Sequence, residues 1–306
     1  MTILTSGASG LIGKKLRAFL TSRGDRVLQL VRRDPSGPEE IAWDPAKGQI
    51  DAARLEGVDV AIHLSGANIG DGRWTEARKR ELRDSRVVST DLLARTLAAC
   101  TKKPRLLVSA SATGYYGPRS DVVDERAPAG DDFLGRLCVE WEAAAGPARA
   151  AGIAVAHPRI AVVMDRQDGA LRRMLPAFRL GAGATLGDGT APLSWVALDD
   201  VVGAIAFAVD RGLGGPFNVS SPHPTTMGEL ARTLGRVLHR PVLLRLPGAL
   251  LRVALGEMSD SMLAGAAAIP TRLTEAGYRF QWPNLVDALA HALAVDSAHE
   301  RAKRAM

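Results

Sequence analysis

The sequence predicts an α/β fold, a doubly wound parallel sheet with helices on both faces, followed by a smaller C-terminal lobe. Three observations carry that expectation. Strand-like and helix-like apolar patterns alternate through the first half of the chain. A glycine-spaced turn, Gly7-Ala8-Ser9-Gly10-Leu11-Ile12-Gly13, joins the first strand pattern to the first helix pattern. After Pro158 the texture changes, and residues 165–194 are rich in Gly and Arg with no regular period.

In chain order, residues 2–5 read as the first strand, and the helix after it carries Ile12, Leu16, Phe19 and Leu20 on one face before Gly24 stops it. Residues 26–31 are a second strand and 41–43 a short third. Residues 58–64 form an apolar central strand that runs into Ser65-Gly66-Ala67-Asn68. A long helix over 76–99 places Leu82, Val88, Leu92, Leu93 and Leu97 on its buried side. Residues 105–109 are the next strand, and one helix over 134–151 leads to a strand at 153–156. Further on, 192–201 introduces a helix, 215–219 reads as a strand, 226–239 and 248–256 as helices, and 279–283 as a strand before a final helix. The expected organisation is a dinucleotide-binding domain over 1–164, its sheet completed by about 192–220, with 165–191 and 221–306 building a substrate-side lobe.

Composition excludes several classes. The chain has 306 residues, 46% hydrophobic and 24% charged, ordinary for a globular protein with room for a large core. Its formal charge of +6 is scattered, and the densest cluster, Arg78, Lys79, Arg80, Arg83 and Arg86, reads as a solvated helix face. No nucleic-acid motif accompanies that charge, so no nucleic-acid partner is expected. Cys100 and Cys138 lie outside any CxxC pattern, which argues against a disulfide framework and a metal site alike. With no leader-like start and no apolar run of membrane-spanning length, the expectation is a cytoplasmic protein without a membrane partner.

The glycine turn has a physical reading. Gly7 permits the tight turn, Gly10 lets backbone N–H groups approach a diphosphate, and Gly13 lets helix pack closely on strand. The diphosphate then lies at the positive end of the helix dipole. This is the signature of a Rossmann dinucleotide site, with Ser9, Leu11 and Ile12 supplying the rest of the cradle. The end of the second strand selects the cofactor. NAD sites place Asp or Glu there to accept hydrogen bonds from the ribose; here the strand ends Val31-Arg32-Arg33, offering guanidinium to a 2′-phosphate, so NADP(H) is expected.

Motifs along nearly the whole chain then carry a resemblance: TSGASGLIG (5–13), HLSGANI (63–69), RELRDSR (80–86), SASATGYYG (109–117), DFLGRLCVEWEAAA (132–145), PRIAVVM (158–164), PLSWVALDDV (192–201) and PTRLTEAGYRFQWP (270–283). The chain resembles the extended short-chain dehydrogenases/reductases (SDRs), and within them the atypical "epimerase family protein" branch akin to nucleoside-diphosphate-sugar epimerases, with its C-terminal module. That resemblance implies oxidoreductase or isomerase chemistry on a small-molecule substrate. It puts Arg32 at the 2′-phosphate, Leu64, Ser65 and Gly66 beneath the adenine and ribose, Glu81 and Arg86 reaching from the long helix, and Val163 at the nicotinamide end. A homodimer is a family-level expectation.

The same resemblance exposes a gap. SDR enzymes carry a Tyr-x-x-x-Lys pair whose ammonium lowers the phenol pKa for proton transfer. Here Leu134 falls at the tyrosine position and Cys138 at the lysine position. Candidate catalytic groups are therefore Ser111, Thr113 and Tyr116, although for Tyr116 the favoured reading is a packed tyrosine with its hydroxyl satisfied. Asp124-Glu125 and Asp131-Asp132 read as a solvated acidic loop, and His63 as sheet core. Two functions stay open, an NADP(H)-dependent reductase or epimerase-like enzyme and a dinucleotide-binding regulatory or structural protein that has lost its chemistry.

Overall fold

Alternation of side chains along each strand dictates the layering. On β1 (Thr2–Ser6), Ile3 and Leu4 are both buried and point to opposite faces of one sheet. A strand apolar on both faces must be covered twice, which is why helices flank both sides. The computed structural model describes residues 1–304, apart from the side chains of residues 254, 255, 262 and 295–304.

After β1 come α1 (Leu11–Ser22), β2 (Arg26–Val31), β3 (Glu40–Asp44), β4 (Gln49–Ile50), β5 (Val60–His63), α2 (Glu76–Ala99), β6 (Leu106–Ser109), β7 (Ser111–Ala112), β8 (Val122–Val123), α3 (Phe133–Ala143), α4 (Gly146–Ala150) and β9 (Ala154–Ile160). The second half adds β10 (Val162–Met164), α5 (Gly169–Arg179), β11 (Ala184–Leu186), β12 (Pro192–Leu193), β13 (Trp195–Ala197), α6 (Leu198–Arg211), β14 (Gly215–Val219) and β15 (Thr225–Thr226). It ends with α7 (Met227–Val237), β16 (Leu244–Leu246), α8 (Gly248–Leu255), α9 (Met258–Leu263), β17 (Ala267–Ala268), α10 (Thr271–Glu275) and α11 (Leu285–Arg304).

The main sheet runs β14-β9-β6-β5-β1-β2-β3-β4, and β1 is parallel to both of its neighbours, β2 and β5. This is the Rossmann order expected from the sequence, and it reverses direction between β1 and β5. Ligands of doubly wound sheets bind at that crevice. On one face Ile3, Val60, Ile62 and Val108 pack with Leu16 and Leu20 of α1 and Val201 and Ile205 of α6. On the other, Leu4, Leu28, Ala61 and Leu107 pack with Leu93 and Leu97 of α2 and Ala148 of α4. Each fully buried leucine contributes about 2 kcal/mol. A separate core in the second half joins Leu171, Leu175 and Phe178 of α5 to Leu230 and Leu234 of α7 and Leu289 of α11, around Trp195.

Four elements differ from the sequence expectation. The single helix over 134–151 is two, because Pro147, with no N–H and a ring that would strike the preceding turn, opens a new helix instead. The strand expected at 153–156 continues to Ile160 through Pro158, which falls where the partner strand changes from β6 to β7. Helix α5 lies in the stretch read as aperiodic; Asp168 caps it and Leu171, Leu175 and Phe178 form its apolar stripe, interrupted in sequence by arginines and Pro176. Residues 279–283, expected as a strand, form none. Their amides are met by the buried Asp200 carboxylate, which accepts from Gln281 N at 2.7 Å and Trp282 N at 3.0 Å. β14 pairs in parallel with β9 in the main sheet.

Candidate functional site

The crevice between β1 and β5 is built by close backbone approach. Gly7 sits at φ +70, and a Cβ there would lie 2.8 Å from the Leu64 carbonyl carbon, so the turn after β1 rides directly on the end of β5. At Gly13 a Cβ would lie 2.2 Å from the Gly7 oxygen. Only a glycine lets α1 dock this near its own entry turn. Gly10 donates its N–H to the Gly7 oxygen at 3.0 Å and caps α1 with no side chain, leaving the amides of Leu11 and Ile12 uncapped at the helix's positive end. Ser9 and Gly10 are exposed. A cavity of about 520 Å³ opens beside this turn, bordered by Ser9, Leu11, Lys14, Lys15, the β10–α5 loop and His291.

The two arginines after β2 separate cleanly. Arg33 is bound to Glu40, Nη2 lying 2.5 Å from Oε1 and Nη1 2.7 Å from Oε2, and that grip with two further bonds from Ser36 holds the Glu40 carboxyl down at about 2. Arg32 is exposed and has no partner among the described residues. Leu64 and Ser65 are half-buried and Gly66 exposed at the end of β5. Val163 is half-buried, opposite Val196 in the β10–β13 pair, and packs on the main core.

The two expected contacts from α2 behave otherwise. Arg86 is buried; it donates to the carbonyls of Leu82 and Ala67, each at 3.0 Å, and stacks on Trp141. Its guanidinium therefore supports the 66–67 loop from beneath rather than standing free as a cation. Glu81 is exposed and paired with Arg78 at 2.6 Å. The basic run of α2 is largely absorbed in such pairs, Lys79 with Glu257 and Arg83 with Glu140. His63 is fully buried, bridging Ser6 Oγ at 2.6 Å and Ser89 Oγ at 3.1 Å, and burial pushes its imidazole down to about 4. It is a neutral brace between β1, β5 and α2.

On α3, Leu134, Cys138 and Glu142 are spaced four apart and share one face. Leu134 lies over Gly114, whose Cβ would come 3.3 Å from it. Cys138 is buried with Sγ 3.8 Å from the Ala112 carbonyl, and burial lifts its thiol to about 12. Neither group moves a proton near neutrality. The three hydroxyls expected to compensate diverge. Ser111 is buried and donates to Glu142 Oε1 at 2.7 Å. The Tyr116 hydroxyl is buried too, donating to Asn218 Oδ1 at 2.7 Å and accepting from Arg159 Nη1 at 3.1 Å. Burial outweighs the arginine and raises its phenol to about 12. That corrects Tyr116 as a proton shuttle and agrees with its reading as a packed tyrosine, since both its hydrogen-bonding capacity and its surface are spent inside the fold. Thr113 alone of the three is half-buried, its hydroxyl free of partners among the described residues.

The sequence reading missed what ties this side together. Arg159 clamps Glu142 with Nε at 2.8 Å and Nη2 at 3.0 Å and lies 3.3 Å from the Tyr115 ring centroid. Glu125 is no solvated loop residue; it is buried and accepts the amides of Asn218 and Arg272, clasping the C-terminal segment. A charge inside an apolar strand (Arg159), and a carboxylate two turns along the helix face that should hold the Tyr-Lys pair (Glu142), were the available signals.

A Rossmann sheet with a glycine cradle at its switch point and a free cation after β2 defines a dinucleotide-binding protein. The family model described as "NAD dependent epimerase/dehydratase family" matches residues 3–220, and the chain belongs to that family. A second model, "Domain of unknown function (DUF1731)", matches 246–292, overlapping the module expected at the C-terminus. An epimerase family protein from Mycobacterium tuberculosis is 42% identical over 293 residues, covering 95% of this chain and 97% of that protein. Human epimerase family protein SDR39U1 is 35% identical over 302 residues, covering 96% of this chain and 100% of that one. The crystal structure of human SDR39U1 isoform 2 with NADPH superposes at a TM-score of 0.87 with 33% identity, over 95% of this chain and 99% of that one. A nucleoside-diphosphate sugar epimerase from Corynebacterium glutamicum gives 0.77 with 32% identity, over 100% of this chain and 61% of that one.

Proposed function

We propose that the chain binds NADP(H) along the C-terminal edge of the sheet and works as a reductase or epimerase-like oxidoreductase on a carbonyl or hydroxyl group, without the Tyr-x-x-x-Lys pair. One observation carries the cofactor choice: of the two arginines after β2, Arg33 is committed to Glu40 while Arg32 is exposed and has no partner among the described residues. A guanidinium–phosphate pair there contributes about 2 kcal/mol, roughly thirtyfold in affinity. Gly7, Gly10 and Gly13 fit the diphosphate, since any Cβ at Gly7 or Gly13 would collide with backbone. The human relative's NADPH supports the same reading.

The bound nicotinamide supplies hydride transfer; the chain's residues do the rest. Leu64 and Val163 wall the groove, and Arg86 positions the 66–67 loop through Ala67. Thr113 is the hydroxyl we assign to the substrate oxygen, while Ser111 and Tyr116 fasten the loop around it through Glu142, Arg159 and Asn218. Holding reactants in register is a large part of such catalysis, so loss of the acid–base pair need not abolish turnover. A cytoplasmic setting belongs to this reading; among the described residues no helix is long and apolar enough to cross a membrane. The second reading, a cofactor-binding protein without chemistry, is favoured by Leu134 and Cys138 alone.

Thermal-shift titration of wild type and Arg32→Ala with NADPH and NADH tests the cofactor. The expected result is preferential stabilisation by NADPH, with NADPH affinity weakened about thirtyfold by the substitution and NADH unaffected. Equal stabilisation by NADH and an indifferent Arg32→Ala would overturn it. A carbonyl panel with NADPH then separates the two readings: turnover reduced by Thr113→Val supports the enzyme, and tight binding with no turnover supports the silent protein.

A further inference from the structure

Beyond the cofactor groove, four elements converge on the helix end that carries Leu134. The 66–75 loop leaves the end of β5 and crosses to the C-terminal module. Arg173 of α5 holds its Gly70 carbonyl and Asp71 carboxylate, Arg73 donates to the Val253 carbonyl of α8, and Lys79 at its far end pairs with Glu257 before α9 at 2.5 Å. Under this strap the side chains are largely apolar, with the Lys79 ammonium lying 5.4 Å from the Phe133 ring centroid. Trp74 and Phe133 meet edge to face at 5.2 Å, and Phe133, Leu134 and Met258 are half-buried against the same cluster. Ile69 is 36% exposed on the strap and Val253 is 71% exposed across from it. Trp74 is pinned in place by its indole N–H on the Ile69 carbonyl at 3.0 Å.

Most of the cations around this cluster are already paired, although the buried Arg78 Nε has no partner among the described residues. Arg78 holds Glu81 and the Asn68 carbonyl, Lys79 holds Glu257, Arg86 holds two carbonyls, and Arg173 holds the strap. A second diphosphate, the handle of a nucleotide sugar, would have to break these pairs to be bound, while the surfaces left open suit a ligand that brings apolar area. From this juxtaposition we infer that the substrate is an apolar aliphatic or aromatic carbonyl compound, or the matching alcohol, held under the strap by Trp74, Phe133, Leu134 and Met258. The inference rests on the cofactor reading above, which puts the reacting centre beside Leu134.

The test uses the full chain, with and without saturating NADPH, and the probes 2-octanone, acetophenone and UDP-glucose. Both ketones should raise the melting temperature by several degrees and quench tryptophan fluorescence, a quench that Trp74→Phe removes; UDP-glucose should do neither. Met258→Asp should weaken ketone binding at least tenfold while leaving NADPH affinity intact. Stabilisation by UDP-glucose but not the ketones, or ketone binding indifferent to both substitutions, overturns the proposal. If NADPH fails to bind, the cofactor reading falls, and the ketone titration of the nucleotide-free protein still decides whether the strap covers an apolar site.

Discussion

The two walls of one crevice are held by different rules. On the β1 side the chain meets itself backbone to backbone, at Gly7 against Leu64 and at Gly13 against Gly7, and no side chain larger than hydrogen fits. On the α3 side the same fold presents Leu134 and Cys138, two groups inert to protons, backed by a Glu142–Arg159 clamp turned inward. Binding a diphosphate needs only amides in fixed places, whereas moving a proton needs a titratable pair with a tuned pKa. The first requirement is met in full here, while the second has been replaced by packing.

The sharpest way to break that contrast is Gly13→Ala. Its methyl meets backbone, which cannot swing aside, so a loss of about 3 kcal/mol is expected with cofactor affinity falling as the turn is pushed open. Urea denaturation and NADPH titration measure both; a change under about 0.5 kcal/mol would show that the turn is not constrained as described. Acid should reach the β1 wall nearly as hard. His63 sits at about 4 when folded against an ordinary 6.5, so as pH falls below 6.5 the unfolded chain takes up the proton first. Stability from this brace is complete above pH 6.5 and fades towards pH 4, by about 3 kcal/mol in all. Urea midpoints from pH 7.5 to 4.5 should decline accordingly, and His63→Gln should flatten the decline.

Arg32→Glu sharpens the comparison at the cofactor's far end. A carboxylate after β2 repels a 2′-phosphate and accepts hydrogen bonds from a bare ribose, so preference should swing towards NADH, with about 2 kcal/mol lost for NADPH. Competition titration reads this directly. The smallest effect is expected on the other wall. Leu134→Tyr restores a phenol but no cation beside it, because Cys138 is buried and neutral at physiological pH. Stability should shift by less than about 1 kcal/mol and turnover should not rise more than a fewfold. A large gain would mean that α3 still holds a working proton site.

Sequence reading succeeded where a local rule decides the outcome. Glycines at a strand–helix turn and the unbroken apolar run Leu106-Leu107-Val108 of a strand buried on both faces are legible because the physics acts within a few residues. It failed where partners arrive from far along the chain. Nothing near Arg86 in sequence announces that Ala67 takes its guanidinium, nothing near Glu125 that Arg272 lies on it, and nothing near Tyr116 that Asn218 closes its hydroxyl. The α5 helix was hidden by composition, since arginines between its three apolar positions mask the period.

Crystals soaked in NADPH give the most direct measurement. Electron density should place the nucleotide diphosphate on the amides of Leu11 and Ile12, with the 2′-phosphate about 3 Å from Arg32. Nucleotide bound elsewhere, or a 2′-phosphate turned away from Arg32 towards solvent, would contradict the reading on which every other proposal here depends.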